Sequence, residues 1–394
     1  MKKKFACLAM AMVMVLSLAA CGGKKEEAPA AAPAESGSDS SVSVFKVGTI
    51  GPLSGDAAIY GQAVANGAKI AVDEINAAGG AIQFELQSQD DEADGEKSVN
   101  AYNTLMDWGM QVMVGPTTTG ASIAVSAQAN ADRTFMLTPS ASSVDVIDGK
   151  DNVFQVCFTD PNQGVASADY ISANMAGAKV AVIYRNDDAY SQGIRDTFVS
   201  EAADKGLEVV YEGTFTADTA TDFSVQLTGA QSAGADTVFL PIYYQPASVI
   251  LNQANAMGYE PTFFGVDGMD GILTMEGFDT SLAEGVMLLT PFSADAEDAR
   301  TQTFVSTYKD QFGTIPNQFA ADAYDAVYTY AAALEAAGCT ADMSSADICE
   351  ALVGVMTTIS VDGLTGQGMT WDASGAVSKA PMAVIIENGT YVLP

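Results

Sequence analysis

Short apolar runs alternate with longer segments of helical spacing along most of this chain, and this rhythm limits the possible folds more than any other feature. Strands joined by helices of about a dozen residues must run parallel, because such a crossover is too long for a hairpin. The predicted strands are 45–50, 83–88, 111–114, 134–137, 179–184, 207–211, 237–240 and 262–264, and the predicted helices are 62–75, 121–131, 192–205, 222–233 and 246–257.

The alternation occurs in two series that meet near residues 157–165. Each series is long enough to form its own sheet covered by helices. We therefore predict two α/β lobes, each built on a parallel sheet. A cleft between two lobes is a preferred position for a small-molecule site.

Hydroxyl-bearing loops follow two neighbouring strands of the first series. One loop spans 115–120 and the other spans 138–143. Parallel strands place such loops side by side at the carboxyl edge of a sheet, where ligands bind. Thr119 also lies at the mouth of the predicted helix 121–131, whose free N–H groups and positive dipole end favour a carboxylate. These loops either form a cradle for a small anion or only close turns and cap helices, which Ser and Thr do most often.

The charge balance and the absence of histidine exclude several classes of function. Seventeen basic and forty-nine acidic residues give a formal net charge of −32, which repels nucleic acid. Without histidine the chain has no His-based triad, His general base or His metal site. The acidic run 90–94 lacks the order of an EF-hand, and Ser54 lacks the usual base. Nucleotide-binding glycine motifs are also missing, so we expect no cofactor, no metal and no enzymatic activity.

The N-terminus has the pattern of an export signal. Three lysines precede an apolar run at 5–20 that is too short to span a bilayer, and Cys21 follows in a Leu-Ala-Ala-Cys sequence that resembles a bacterial lipobox. We predict a signal peptide at 1–20, lipidation of Cys21 and a flexible tether at 21–43. The mature protein would be extracytoplasmic, anchored to the outer face of the cell membrane through its acyl chains only.

Three further cysteines lie in the folded body. Cys339 and Cys349 flank a short polar loop, so in an oxidising compartment they are candidates for a local disulfide, although sequence alone does not establish the geometry. Cys157 lies in an apolar strand-like run, which predicts a buried thiol. None of the three has metal-ligand spacing.

Several motifs occur together in a specific order. They include Val-Gly-Thr-Ile-Gly-Pro-Leu-Ser-Gly at 47–55 and Ala-Val-Asp-Glu-Ile-Asn-Ala-Ala-Gly-Gly at 71–80. The other motifs are at 60–61, 114–116, 137–140, 188–193 and 370–372. In this order the chain resembles the branched-chain amino acid binding proteins, which are solute receptors of ABC importers with the type I periplasmic-binding-protein fold. The resemblance extends from about Val44 to the C-terminus.

The resemblance implies polar groups for the two charges of a free amino acid. Thr119 and Ser142 match the hydroxyl positions that hold the α-carboxylate. Ser140 matches the residue whose backbone carbonyl accepts from the α-ammonium. Asp267 matches the carboxylate that pairs with the ammonium from the second lobe, where the family commonly has Glu. Because Asp is one methylene shorter, the ammonium must approach closer or a water must fill the gap.

The resemblance also implies an aromatic lining. Tyr190 and Tyr243 match positions that line the site from the second lobe, and Tyr60 and Phe319 match walls of the side-chain pocket. Each position has a structural alternative, because most aromatic residues are ordinary core residues and Asp267 sits in a turn-like sequence. The first-lobe cysteine pair of some relatives is missing here.

The family further implies a division of the chain and a function. Two doubly wound lobes would be joined by a three-crossover hinge, with 44–160 and 290–364 in the first lobe and 161–289 and 365–394 in the second. We predict a monomeric solute-binding lipoprotein that captures a free amino acid, preferably aliphatic or branched-chain, and delivers it to ABC permease subunits.

Several alternatives stay open. The protein would instead be a ligand sensor that signals to a receptor, a secreted hydrolase that uses Ser without His, or a binder of a small carboxylate or amide other than an amino acid. The identity of the amino acid also stays open, because one methylene in a pocket is worth only about 1–3 kcal/mol.

Overall fold

Five parallel strands form the first sheet of the computed structural model, which describes residues 42–394. They are β1 (Ser43–Gly51), β2 (Ile82–Asp90), β3 (Val112–Val114), β4 (Phe135–Thr138) and β5 (Val153–Gln155). The order across the sheet is β2-β1-β3-β4-β5, and every neighbouring pair is parallel. All three residues of the central strand β3 are buried, as expected for a parallel sheet covered on both faces.

Seven strands form the second sheet. They are β6 (Lys179–Arg185), β7 (Glu208–Phe215), β8 (Thr237–Leu240), β9 (Thr262–Gly265), β10 (Met287–Thr290), β11 (Met382–Glu387) and β12 (Thr390–Val392). The order is β12-β11-β10-β9-β8-β6-β7. Strands β6 to β10 pair in parallel, whereas β11 and β12 are antiparallel additions from the C-terminus that the sequence pattern did not predict.

Ten α-helices flank the two sheets in the described part of the chain. They are α1 (Ala58–Ala78), α2 (Gly95–Trp108), α3 (Thr119–Asp132), α4 (Asp160–Asn174), α5 (Ala189–Lys205), α6 (Ser224–Ser232), α7 (Tyr244–Met257), α8 (Ala299–Phe312), α9 (Gln318–Ala337) and α10 (Ser345–Met356). Every predicted strand and helix is confirmed, with ends that differ by up to four residues. The predicted α/β class with two sheets is also confirmed.

Helix α1 begins four residues earlier than its apolar pattern predicted, and this shift matters for the site. Gly55 adopts a φ of 82°, in the left-handed region that favours glycine, and so turns the chain into the helix. The first turn of α1 therefore includes Tyr60, which is buried. The helix ends at Gly79, also left-handed, with a φ of 69°.

The chain passes between the sheets three times, which defines two lobes. The passages lie between β5 and α4, between β10 and α8, and between α10 and β11. We call the part built on the first sheet the first lobe and the part built on the second sheet the second lobe. Trp371, in the last passage, connects that passage to the end of β5, where the first passage begins, because its indole N–H donates to the Gln155 carbonyl at 2.7 Å. The finer residue boundaries given above stay predictions.

The predicted signal peptide and Cys21, and all but the last two residues of the predicted tether, lie outside the described residues. Within 42–394, no helix is both long and apolar enough to cross a membrane.

The cysteines of the body do not pair. Cys157, Cys339 and Cys349 are buried and free, so the disulfide considered for Cys339 and Cys349 is not formed. Cys339 follows the end of α9, and Cys349 lies inside α10, near Arg133 and Asn152. Burial raises the pKa of the Cys349 thiol to about 11. The prediction that Cys157 is a buried thiol is confirmed.

Candidate ligand-binding site

The two lobes face each other with the carboxyl ends of their parallel strands. In the first lobe, β3 is followed by the loop that leads into α3, and β4 is followed by the loop that contains Ser140. In the second lobe, Tyr190 follows β6, Tyr243 follows β8 and Asp267 follows β9. This is the edge at which ligands bind in open α/β sheets. The topology therefore brings together residues, such as Ser140 and Asp267, that are more than a hundred positions apart.

A small cavity lies between these loops. Its volume is about 10 Å³, room for about one water molecule, and it is lined by residues of both lobes: Tyr60, Thr117, Thr118, Thr119, Ser140, Tyr190, Tyr243, Asp267, Gly268 and Phe319. Seven of the eight predicted site residues are in this set, and Ser142 is not. Pockets for drug-sized ligands are roughly 300–1,000 Å³, so a ligand would enter this cavity only if the lobes moved apart from the arrangement described here.

Helix α3 presents an uncapped N-terminus to the cavity. Thr118 occupies the N-cap position but its side chain makes no capping bond, and its buried hydroxyl has no hydrogen-bond partner in the described structure. Thr119 is the first residue of the helix and is also buried. Backbone N–H groups of a first helical turn and the positive end of the dipole favour an anion. This side of the cavity therefore suits a carboxylate.

The two predicted residues of the second hydroxyl loop occupy different places. Ser140 lines the cavity. Ser142 is fully buried beyond it, where the Gln163 side-chain amide donates to the Ser142 hydroxyl at 3.5 Å. The Ser142 carbonyl accepts from the backbone N–H of Asp160 at 2.9 Å, so Ser142 connects the first lobe to the start of α4.

Asp267 is the acidic group of the cavity. It is 3% exposed, and its carboxylate accepts a hydrogen bond from the Tyr190 hydroxyl at 2.6 Å. Its backbone N–H donates to the Gln163 side-chain carbonyl at 3.1 Å, which fixes the loop. No Lys or Arg side chain among residues 42–394 lies within ion-pair distance of it. Burial raises the pKa of Asp267 to about 7, although the bond from Tyr190 acts in the opposite direction.

Aromatic rings close the cavity on the remaining sides. The Tyr60 ring packs edge-to-face against Tyr243, Tyr244 and Phe319, with centroid separations of 5.3, 4.9 and 4.7 Å. Tyr190 packs on Tyr243 at 4.9 Å. The Tyr60 hydroxyl donates to the Gly268 carbonyl and accepts from the Tyr244 backbone N–H at 3.1 Å, so it joins the two lobes. Desolvation by burial raises the pKa of Tyr60 well above its ordinary value, so the phenol stays protonated.

Sequence reasoning missed three residues of the lining. Thr117 and Thr118 belong to the same hydroxyl loop as Thr119, and the helix start was predicted too late to mark Thr118 as the N-cap. Gly268 is required by space, because a Cβ there would lie 2.4 Å from the Tyr190 hydroxyl. A Gly directly after an acidic residue at a strand end was the available signal.

Among residues 42–394, no group of three or more His, Cys, Asp or Glu side chains is arranged to hold a metal ion. The cavity itself contains one carboxylate, several hydroxyls and aromatic rings. This set of groups can bind a small charged molecule, and it contains no nucleophile with an adjacent base.

The comparisons with known proteins agree with this geometry. Residues 44–390 match the model of a family described as periplasmic binding protein. A Leu/Ile/Val-binding protein homolog of Brucella melitensis is 33% identical over 312 residues, which cover 78% of this chain and 82% of that protein.

Solved structures are similar over the same body. The crystal structure of the branched-chain amino acid transporter substrate-binding protein LivJ from Streptococcus pneumoniae, in complex with isoleucine, is 30% identical with a TM-score of 0.78, and the match covers 89% of this chain and all of that one. A leucine-binding protein LivK from Thermotoga maritima is 26% identical with a TM-score of 0.79, covering 89% and 97%. This chain belongs to the periplasmic binding protein family, whose members are solute-binding proteins for transport and not enzymes.

Proposed function

We propose that this protein captures a free amino acid between its two lobes. One observation carries the proposal: the same cavity has a group that favours an anion on one side and a group that favours a cation on the other. These are the uncapped N-terminus of α3 and the buried carboxylate of Asp267. A zwitterion has a negative and a positive end at a short fixed separation. A buried carboxylate is tolerated when a cation and hydrogen bonds compensate for its lost water.

The polar roles follow from the chemistry of each group. Thr118, Thr119 and the backbone N–H groups at the start of α3 would receive the α-carboxylate. Asp267 and the backbone carbonyl of Ser140 would receive the α-ammonium. Tyr190 would hold the Asp267 carboxylate in place through its 2.6 Å bond. Ser142, proposed from the family pattern as a carboxylate ligand, would act after a shift toward the cavity or support Gln163 from behind.

The side chain of the ligand would face the aromatic residues. Tyr60, Tyr243 and Phe319 offer apolar ring surface and leave little space. The relatives described above are named for leucine, isoleucine and valine, and one of them holds isoleucine. We therefore propose an aliphatic amino acid as the ligand. A long or charged side chain would find neither room nor a partner among these rings.

Both lobes contribute to the cavity, so a ligand that touches both binds the closed arrangement better than the open one. We propose that the closed form is what ABC permease subunits recognise and that the protein delivers its ligand to them as a monomer. Lipidation of Cys21 would keep it at the outer face of the cell membrane, joined to the folded body by the chain before Ser43.

A ligand screen tests the proposed binding. Purified protein is heated with each of the twenty L-amino acids and with benzoate, and hits are measured by isothermal titration calorimetry. We expect aliphatic amino acids to raise the melting temperature, because a ligand bound only by the folded state stabilises it. Binding of benzoate without any amino acid would contradict the proposal, since benzoate has no ammonium for Asp267.

Cell experiments test anchoring and delivery. In cells that lack the gene, the wild-type protein should restore uptake of the radiolabelled amino acid found in the screen. The Cys21→Ala variant should appear outside the membrane fraction and restore less uptake. Equal membrane association of both proteins would contradict lipidation at this cysteine, and unchanged uptake in the gene-deletion cells would contradict delivery.

A further inference from the structure

The two lobes also meet beside the cavity, at the start of α9. The Asp270 carboxylate of the second lobe accepts a hydrogen bond from the backbone N–H of Gln318, the first residue of α9 in the first lobe, at 2.9 Å. Asp270 is 2% exposed and does not line the cavity. The contact is therefore an interaction of protein with protein, formed next to the ligand site.

The contact provides a hydrogen-bond acceptor for the first turn of α9. Helix α9 has twenty residues, and the N–H groups of its first turn have no partner inside the helix. The side chain of Asn317, the N-cap residue, accepts from the backbone N–H of Ala320 at 3.3 Å. Asp270 supplies the acceptor for Gln318 and places a carboxylate at the positive end of the helix, where negative charge is favoured. A helix of one lobe is thus capped by a side chain of the other.

The same contact is linked to the cavity carboxylate. The backbone N–H of Asp270 donates to the Asp267 carbonyl at 2.9 Å, and the Gln318 side-chain amide donates to that carbonyl at 3.3 Å. Gln318, at the start of α9, therefore bonds this loop at two points, the Asp270 carboxylate and the Asp267 carbonyl. Separation of the lobes would break both bonds from Gln318 together.

We propose that Asp270 is a positioning residue that closes the lobes by binding the N-terminus of α9 and so sets Asp267 for the ligand. The stabilisation of the closed arrangement does not depend on the ligand's identity. Its consequence for ligand release rests on the proposed amino-acid binding. Because the contact forms only when the lobes meet, it shifts the equilibrium between open and closed forms by its own free energy.

The test compares closed populations in the absence of added ligand. Spin labels are attached to cysteines introduced at Asp56 and Ala217, which belong to different lobes and line the mouth of the cleft. Distances are measured by double electron–electron resonance on the full chain. In Gln318→Pro the donor N–H is deleted, yet proline suits the first position of a helix. In Asp270→Ala the acceptor is deleted. Each should lower the ratio of closed to open forms about tenfold.

Two matched controls isolate the contact. Gln318→Ala keeps the backbone N–H that Asp270 accepts from and removes only the side-chain bond to the Asp267 carbonyl, so it should shift the distances less than Gln318→Pro. Asp298→Ala removes a carboxylate that caps α8 through Thr301 at 2.9 Å within the first lobe. Asp298→Ala should keep the wild-type distances. Equal distance distributions in all five proteins would overturn the proposal, and Gln318→Pro decides alone if Asp270→Ala does not fold.

A second readout follows ligand release. With L-leucine as the probe, stopped-flow measurements should show that Gln318→Pro and Asp270→Ala raise koff about tenfold and leave kon unchanged. A purely structural role would lower the melting temperature without this separation of rates. If no amino acid binds, the proposed function fails, while the distance measurements still decide the role of Asp270.

Discussion

Two buried carboxylates at the junction of the lobes are treated differently by this chain. Asp322 on α9 is paired with the Lys379 ammonium at 2.5 Å, and both side chains are almost fully buried. Lys379 also donates to the Thr365 hydroxyl at 2.5 Å, which in turn donates to Asp325 at 2.6 Å. Asp267 is equally buried but receives only neutral donors from the described chain, chiefly Tyr190. Asp322 is therefore paired with a cation of the protein, whereas Asp267 has no such partner among residues 42–394.

Asp322 has its compensating charge within the chain, whereas we propose that the ligand supplies the charge for Asp267. Desolvation raises the pKa of Asp322, and the Lys379 ammonium offsets part of that rise. For Asp267 the bonds from Tyr190 and its neighbours offset burial only in part, so its pKa is about 7. A carboxylate buried without a protein cation is costly for folding alone. It becomes favourable when a ligand supplies the positive charge.

The largest effect is expected where the pair is internal. Lys379→Met leaves Asp322 buried without its cation, and the free energy of unfolding should fall by about 3–5 kcal/mol. Urea denaturation of the ligand-free protein at pH 7.5 measures the change. The double variant Asp322→Asn/Lys379→Met removes both charges and should recover most of the loss. If Lys379→Met were as stable as the wild type, Asp322 would not need its cation for folding, and the proposed difference between Asp322 and Asp267 would be wrong.

The reverse pattern is expected at Asp267. Asp267→Asn keeps the size of the side chain but removes the charge that the ligand ammonium would meet. Amino-acid binding should weaken by about 2–5 kcal/mol, while the ligand-free protein should unfold at the same urea concentration or a higher one. Calorimetry with L-leucine and urea denaturation check both halves. Wild-type affinity in Asp267→Asn would point to a ligand without an amine.

Much of the fold could be predicted because periodicity is local. The apolar runs that became β3, β4, β6 and β8 are short, continuous and bounded by turn residues, so their type was clear. The antiparallel strand β11 was missed because it pairs with β10, nearly a hundred residues away, and β12 was missed with it because its partner in the sheet is β11. Asp322 and Lys379 were missed for the same reason: fifty-seven positions separate them, and no local pattern marks a buried ion pair.

The site was predictable in its loops but not in each side chain. The strand ends and hydroxyl loops were visible in the sequence, and seven predicted residues do line one cavity. Which hydroxyl of a loop faces the cavity depends on where the helix begins. Thr118 rather than Thr119 is the N-cap of α3, and Ser142 turns toward Gln163. The family resemblance identified the correct loops. Which side chain of a loop faces the cavity depends on where the following helix begins, and the sequence did not show this.

The hydroxyl side of the cavity offers a sharper test of the same comparison. Thr118→Val removes an unpartnered buried hydroxyl with little change of shape. If this hydroxyl donates to the ligand carboxylate, affinity should fall by about 1.5–3 kcal/mol, the worth of a hydrogen bond to a charged group. Ser142→Ala serves as the matched variant and should have a smaller effect on calorimetric affinity. A larger loss of affinity in Ser142→Ala than in Thr118→Val would indicate that Ser142, and not Thr118, binds the ligand carboxylate.

The smallest expected effect is a dependence of ligand affinity on pH. It should come from Asp267 and not from Asp322. Because the pKa of Asp267 is about 7 in the ligand-free protein, the group is mostly protonated at pH 6 and mostly ionised at pH 8. The ligand ammonium requires the ionised form. Affinity for L-leucine should therefore fall about tenfold from pH 8 to pH 6, which corresponds to about 1.4 kcal/mol. The Asp267→Asn variant should lack this slope.

The stability of the ligand-free protein should change with pH in the opposite direction. The folded-state pKa of Asp267, about 7, lies above its ordinary value of 3.8, so between these pH values the native protein holds a proton that the unfolded chain has released. Stability from this group is fully present below about pH 4 and is lost as the pH rises to about 7. Saturating leucine should abolish the loss, since the ammonium replaces the proton. Comparison of wild type with Asp267→Asn by urea denaturation at pH 5 and pH 8 isolates this group from Asp322. Equal slopes in the two proteins would mean that Asp267 is already ionised through a partner within the chain, and its difference from the Lys379-paired carboxylate would disappear.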